Sequence, residues 1–423
     1  MRTRRILLGL LAYGLLLLGL ATRDHRFIVI SLPLWLYFGA ALLDYPDAPQ
    51  LTVTRTVEPP VVTEGDSVTV SLSLRNVGKR PALFLVADPY PPVLHLRDGV
   101  TRCLIWLAPQ DTLTLTYDLG ARRGHFDFPE VQATACQTWG LFSQPVSVPT
   151  HASLMVLPQI PALRAIPIRP RRTLGFSGPI LARQGGAGTD MFGVREYQPG
   201  DPLRRINWRA TARYHDRAFT TEFEQERITD VGLILDVRRY NAMQAHGELL
   251  LDYSVRATAA LAVRLLRDGH RVGLLFYGQG MQWVISGYGR VQQLRILRML
   301  AAVTPATDTF FDNLKFLSPR MFPARSQLIF ISPLMLDDHV SLFRLRARGY
   351  SVLVVSPDVV AFEAASADYP PLAVRFARIE RALLLRRLRQ GGIVTVDWPT
   401  EVPLEEKLYT ALAHVPVQEV GLC

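Results

Sequence analysis

Residues 194–213, VREYQPGDPLRRINWRATAR, place Arg195, Arg204, Arg205, Arg209 and Arg213 around a Pro-Gly-Asp turn and a tryptophan. A guanidinium is a planar, permanently charged fork that holds a carboxylate or a phosphate through paired hydrogen bonds. The block can therefore grip a nucleic acid, a phosphate, or an acidic face of its own chain. The next segment, FTTEFEQER, favours the last. In an extended chain Phe219, Thr221 and Phe223 point one way, and Thr220, Glu222, Glu224 and Glu226 the other. Three glutamates on one face repel each other unless cations lie opposite. Asp201, after Pro199-Gly200, suits the cap of a helix that starts at Pro202 and ends near Arg213. On such a helix Leu203, Ile206 and Ala210 share one face, and Arg204, Arg205, Arg209 and Arg213 spread over the rest. The expectation is an internal clasp between this helix and the acidic strand. Adjacent Arg204 and Arg205 cannot both face one strand, so at least one is expected to point outward, to a partner or a phosphate. An exposed binding surface is the alternative for the whole block.

Other chemistries lack their residues. The nine histidines are scattered, with no His-x-x-x-His pair. QGGAGTD (184–190) has no Gly-Lys-Ser/Thr ending and reads as a flexible loop, not a phosphate cradle. GFSGP is not a nucleophile elbow. Cys103, Cys136 and Cys423 form no Cys-x-x-Cys pair, so neither a disulfide framework nor a zinc site is indicated. No catalytic residue, cofactor or enzyme activity is expected. The formal charge of +10 is carried almost wholly by arginine, with lysine only at 79, 315 and 407, and it suits anionic partners. Nucleic-acid binding is the weaker form of that idea, because an acidic strand adjoins the basic segment and no aromatic stacking platform is interleaved with it.

These residues need a scaffold, and 423 residues, 49% of them hydrophobic, allow two or three folded domains. Residues 6–21 and 27–43 are uncharged apolar runs near the length of a bilayer span, roughly 17 to 25 residues. Only TRDHR divides them, which predicts a transmembrane helical hairpin over 1–45. A signal peptide ending near Ala21 is the rival for the first run. Arg2, Arg4, Arg5 and Arg55 against Arg23 and Arg26 favour both ends inside, with the soluble part in the cytoplasm. Residues 46–156 alternate with period two (LTVTRTVEP, SVTVSLSLRNVG, TLTLTYDL) and predict an antiparallel, immunoglobulin-like β-sandwich. RRGHFDFPEVQATACQTWGLF is expected to close it as a hairpin and aromatic plug. A Pro- and Arg-rich linker occupies 157–189. From 190 to 423, apolar strands alternate with helical stretches, which predicts a doubly wound, mainly parallel α/β sheet. Ligands in such sheets sit beyond the carboxyl ends of the strands, so the loops after Val237, Ser332 and Ser356 are the ones of interest.

Arg195, Glu196, Tyr197, Gly200, Asp201, Arg204, Arg205, Trp208, Arg209 and Arg213, followed by EFEQER and an apolar strand ending in Asp236, resemble the domain of unknown function 58 family. Asn207 stands where the family pattern has an aspartate. The resemblance implies a membrane-anchored bacterial protein with a von Willebrand factor A-like domain. It also implies a non-enzymatic role beside a MoxR-type AAA+ ATPase, in assembly or maturation of client proteins. A metal-binding domain of that type uses Asp-x-Ser-x-Ser after its first strand, with a threonine and an aspartate from later loops. Here Asp236 alone matches; Arg238 and Tyr240 replace the serines, and Pro333 stands where an acid is expected, with Asp337 and Asp338 nearby. Thr307 and Thr309 both remain candidates for the threonine. A hard cation needs several oxygens, so Mg²⁺ is not expected, and Arg238 beside Asp236 is expected to form an internal ion pair instead. A cell-envelope protein with exported domains is the alternative to the cytoplasmic adaptor, and a nucleic-acid or anionic-lipid binder a more distant one.

Overall fold

The computed structural model describes the chain apart from residues 1, 44–49, 137–140, 165–179, 215, 228, 246, 279–281, 307–320, 325, 367–368 and 414–423, and apart from the side chains of 2–5, 146–147, 180–192 and 223–227. Two compact units divide at Leu157 and Pro158.

The first unit begins with helices α1 (Arg2–Thr22) and α2 (His25–Leu43), turned by Arg23 at φ 52°. A Cβ on Gly19 would lie 2.7 Å from Ile28, so glycine is what lets α1 approach α2. By length and composition α2 can cross a bilayer, whereas the apolar part of α1, Ile6–Thr22, is shorter.

Eleven strands follow: β1 (Leu51–Glu58), β2 (Val61–Thr63), β3 (Ser67–Asn76), β4 (Ala82–Ala87), β5 (His95–Gly99), β6 (Arg102–Leu107), β7 (Thr112–Gly120), β8 (Gly124–Asp127), β9 (Val131–Cys136), β10 (Ser143–Val148) and β11 (Ser153–Leu157). They make two antiparallel four-stranded sheets, β1-β3-β7-β5 and β10-β9-β4-β6, and a third, β2-β11-β8, in which β2 and β11 run parallel. The period-two pattern works as expected. Val53, Leu72 and Leu74 of the first sheet pack against Phe84, Val86 and Leu107 of the second. The predicted closing hairpin is not there: β8 pairs with β11, while β9 pairs with β4 and β10. Buried Phe128 sits at the corner between them, and its N–H donates to Ala152, which holds the chain to the third sheet. The expected aromatic plug falls partly on 137–140, outside the described residues.

Arg55 lies inside this unit. Its guanidinium bonds both carboxylate oxygens of Asp88 and, at 2.9 Å, the Pro129 carbonyl, and it lies over the Phe128 ring. The Tyr117 hydroxyl donates to Asp88 at 2.8 Å, and burial, then Asp88, pushes that phenol upward. Removing one member of a buried pair strands the other. Asp88→Ala is expected to cost roughly 3–5 kcal/mol, and Arg55→Met with Asp88→Leu distinctly less, read from urea midpoints by circular dichroism.

The second unit opens with β12 (Ile180–Glu196), which includes part of the predicted linker, paired antiparallel with β13 (Phe219–Arg227); between them lies the four-residue helix α3 (Trp208–Thr211). Then come β14 (Asp230–Asp236), a small hairpin of β15 (Gln244–Ala245) and β16 (Glu248–Leu249), α4 (Leu250–Arg267), β17 (Arg271–Tyr277), β18 (Trp283–Gly287), α5 (Gly289–Ala302), β19 (Gln327–Ile331), α6 (Asp338–Ala347), β20 (Ser351–Pro357), α7 (Val359–Ala364), α8 (Pro371–Gln390), β21 (Val394–Trp398) and α9 (Leu404–Ala413). The sheet order is β18-β17-β14-β19-β20-β21, parallel except for the edge strand β18. Every residue of β14 is buried, as a strand covered on both faces requires. Ile234, Phe330 and Val354 pack with Leu342 and Leu345 of α6 and with Leu384, Leu385 and Leu388 of α8. Gly232 and Gly273 make room for the Phe322 ring; a Cβ at Gly232 would lie 2.7 Å from it. The order reverses between β14 and β19, and the loops that leave these two strands diverge there.

His270, at the start of β17, is buried, and burial lowers its pKa below 6.5 against the opposing pull of Asp268. The unfolded chain then binds the proton first, so stability is full above about pH 6.5 and declines as pH falls below it. Thermal midpoints from pH 7.5 down to 5.5 are expected to fall less steeply in His270→Phe than in the parent.

Candidate functional site

Two arginine-centred sites emerge. In the first, Arg195 on β12 holds Asp201 with both terminal nitrogens, at 2.8 and 2.7 Å, and Glu222 of β13 through Nε at 2.8 Å. Asp201 also accepts the Gln198 N–H at 2.9 Å across a turn in which Gly200 has φ 110°. Arg195 first, with that amide behind it, holds the Asp201 carboxyl below its usual range.

That capture corrects the predicted helix. Asp201 caps nothing, Pro202 is extended (φ −61°, ψ 124°), and only a 3-10 turn forms at Leu203–Arg205. Ile206 then bridges to Thr220, and α3 starts at Trp208. Asn207 is the true cap: its side chain accepts the Ala210 N–H at 3.0 Å and donates to Thr221 at 3.3 Å. The predicted clasp is corrected likewise. It exists, but its cation is Arg195 on the neighbouring strand, since no long helix is present to carry the others across. Arg217 pairs loosely with Glu196 at 3.5 Å, the Tyr197 N–H donates to Ala218, and Arg205 adds its charge at Asp201. The side chains of Glu224 and Glu226 lie outside the described residues. Arg204, Arg209 and Arg213 are exposed with no carboxylate partner among the described residues, and Leu203 and Trp208 beside them are 70% and 71% exposed.

The second site lies where β14 and β19 part. Asp236, fully buried, ends β14; Arg238 follows in the loop and meets it through the backbone N–H and Nε, both 3.0 Å from Oδ1, and through a terminal nitrogen 2.7 Å from Oδ2. The same guanidinium reaches both oxygens of Asp338, the first residue of α6, at 2.9 and 2.6 Å. Tyr240 and Ser332 donate hydroxyls to Asp236 Oδ2 at 2.5 and 2.6 Å, and the Met335 N–H donates to Asp338 at 2.7 Å. Arg238 lies 4.4 Å from the Tyr277 ring centre and 4.9 Å from that of Tyr240, a favourable cation–π setting. Burial opposes the Arg238 charge, but Asp236 and then Asp338 outweigh it and raise its pKa. Burial and then Asp236 drive the Tyr240 phenol upward, so it stays a donor. A Cβ at Gly278 (φ 110°) would collide with Arg238, so glycine keeps its space. Next to this site Arg381 of α8 donates to the Pro333 carbonyl, to Ser356 and to Asp397 at 2.7–3.1 Å.

The structure thus joins Asp236, Arg238, Tyr240, Ser332 and Asp338, of which sequence reasoning paired only the first two. Asp338 turns in, while Asp337 is exposed. Thr307 and Thr309 lie outside the described residues.

The class defined by this geometry is an α/β sheet whose switch point is bridged by the chain's own cation, in a protein that also has a β-rich region and an apolar N-terminal helix. Residues 193–360 match the family described as "Protein of unknown function DUF58". It is 26% identical over 255 residues to the uncharacterized protein YeaD of Bacillus subtilis, covering 59% of this chain and 61% of that one. It is 30% identical over 153 residues to the uncharacterized protein Rv1480 of Mycobacterium tuberculosis, covering 34% and 46%. The chain therefore spans less than two thirds of either relative's length. Among solved structures, an Escherichia coli alpha-2-macroglobulin fragment spanning domain MG7 to the C-terminus matches 27% of this chain and 18% of its own, at 19% identity and a TM-score of 0.24. The cupredoxin domain of amoB from Nitrosocaldus yellowstonii matches 28% and 96%, at 10% identity and 0.20.

Arg238→Met leaves Asp236 and Asp338 buried without their cation. It is expected to cost roughly 3–5 kcal/mol in urea unfolding, whereas Arg381→Met, whose contacts include the half-exposed Asp397, is expected to cost less.

Proposed function

We propose that the chain is a membrane-anchored, non-enzymatic adaptor or assembly factor that works with a MoxR-type AAA+ ATPase. Its anchor is the N-terminal apolar helix, and its soluble units face the cytoplasm. The observation that carries this reading is the exposed set of Leu203, Trp208, Arg204, Arg209 and Arg213 within the family-matched segment. Tryptophan and arginine are the side chains that most often dominate protein interfaces, and here they stand together without an internal partner among the described residues. An acidic protein surface is their natural complement. The α/β unit is taken as von Willebrand factor A-like, which the sheet order and its single antiparallel edge strand support.

No cofactor is assigned to the switch-point site. The donors on Asp236 favour that choice: three nitrogens of Arg238 and two hydroxyls already engage its oxygens, and Arg238 supplies the positive charge. Calorimetry with Mg²⁺ is expected to give no saturable heat; saturable binding that Asp236→Ala abolishes would refute the assignment. For the adaptor, a membrane pull-down in ATP is expected to retain a AAA+ ATPase with the parent chain and to lose most of it with Trp208→Ala/Arg209→Glu. Equal retention by both would sink the reading. A second reading rests on the same exposed tryptophan, which with its arginines also suits an anionic nucleic acid; oligonucleotide binding that falls steeply with salt would select it.

A further inference from the structure

Helix α8 uses one side and leaves another bare. Leu384, Leu385 and Leu388 are locked into the α/β core, yet Leu372, Phe376, Ile379 and Leu383 are 63, 60, 53 and 57% exposed. Their spacings of 4, 3 and 4 residues gather them into one narrow stripe, and Tyr369, 43% exposed just before the helix, continues the repeat. This is the a/d spacing of a seam between two helices.

The charges on its rim say which helix fits. With Phe376 at position a, Arg375 falls at g and Glu380 at e. Between parallel helices a g side chain meets the e side chain five residues on in its neighbour. In a symmetric pair each copy's Arg375 therefore meets the other's Glu380, twice about the two-fold axis. An antiparallel pair faces g with g and e with e and loses both contacts. An anionic bilayer is disfavoured by Glu380, which would be pressed against it. Both Arg375 and Glu380 are exposed, so they are free to reach across.

We propose that α8 pairs in parallel with α8 of a second copy of this chain. The stripe is about 17 Å long at 1.5 Å per residue, which places the contact in the weak class of interfaces. Cross-linking reads such contacts. In full-length chain with Cys103, Cys136 and Cys423 changed to serine, Ile379→Cys is expected to form a disulfide-linked dimer under mild oxidation. Arg378→Cys, off the stripe, is expected to give several-fold less. Arg375→Glu sets two glutamates against each other and is expected to cut the Ile379→Cys cross-link roughly tenfold; adding Glu380→Arg restores it. Since all these positions are on the surface, circular dichroism should be unchanged. Equal cross-linking at 379 and 378 overturns the proposal, as does a yield that Arg375→Glu leaves intact or that the double reversal does not recover.

Discussion

A carboxylate buried at the end of a central strand cannot stay charged without a cation, and Arg238 provides it for Asp236 and Asp338 together. One acid ends β14 and the other begins α6, so this one guanidinium, from the loop after β14, ties that loop to both elements. Its neighbours are arranged to tolerate it. Tyr277 and Tyr240 present ring faces, Gly278 leaves space, and Ser332 and Tyr240 fill the remaining lone pairs of Asp236. Buried ion pairs do not in general add stability over apolar packing. What this one adds is geometry, because a planar fork accepts two carboxylates only in set directions.

The same economy recurs elsewhere. Arg55 crosses the interior of the β-rich unit to Asp88, and Arg195 ties the Pro-Gly-Asp turn to the paired strands β12 and β13. In each case an arginine joins segments that the backbone ladder does not join. A strongly basic chain thus spends several of its charges internally. Within the 194–213 block, Arg204, Arg209 and Arg213 are the arginines left outward.

Much of the scaffold was legible because its periodicities are clean. The apolar strand ending in Asp236 became β14, and the alternation of SVTVSLSLRNVG became β3. What the sequence concealed were the partners distant along the chain. Arg238 and Asp338 are 100 residues apart, Ser332 and Asp236 are 96, and Arg55 and Asp88 are 33; no spacing rule connects such pairs. The helix at 202–213 failed for a local reason. Asp201 had two uses open to it, and the fork of Arg195 outcompeted the helix amides, leaving Asn207, two turns of chain later, to do the capping. Fold-level pattern was therefore easier to read than site-level pairing, and the family match rests on the segment that contains both sites.

Arg381 gives α8 a reach beyond its own packing. From the inner side of that helix it bonds the loop after β19, the end of β20 and Asp397 in β21. A helix fastened to three strand tips by a single side chain behaves as a lever with a short arm. The tilt of α8 and the placing of the loops at that edge of the sheet thus depend on one shared set of hydrogen bonds.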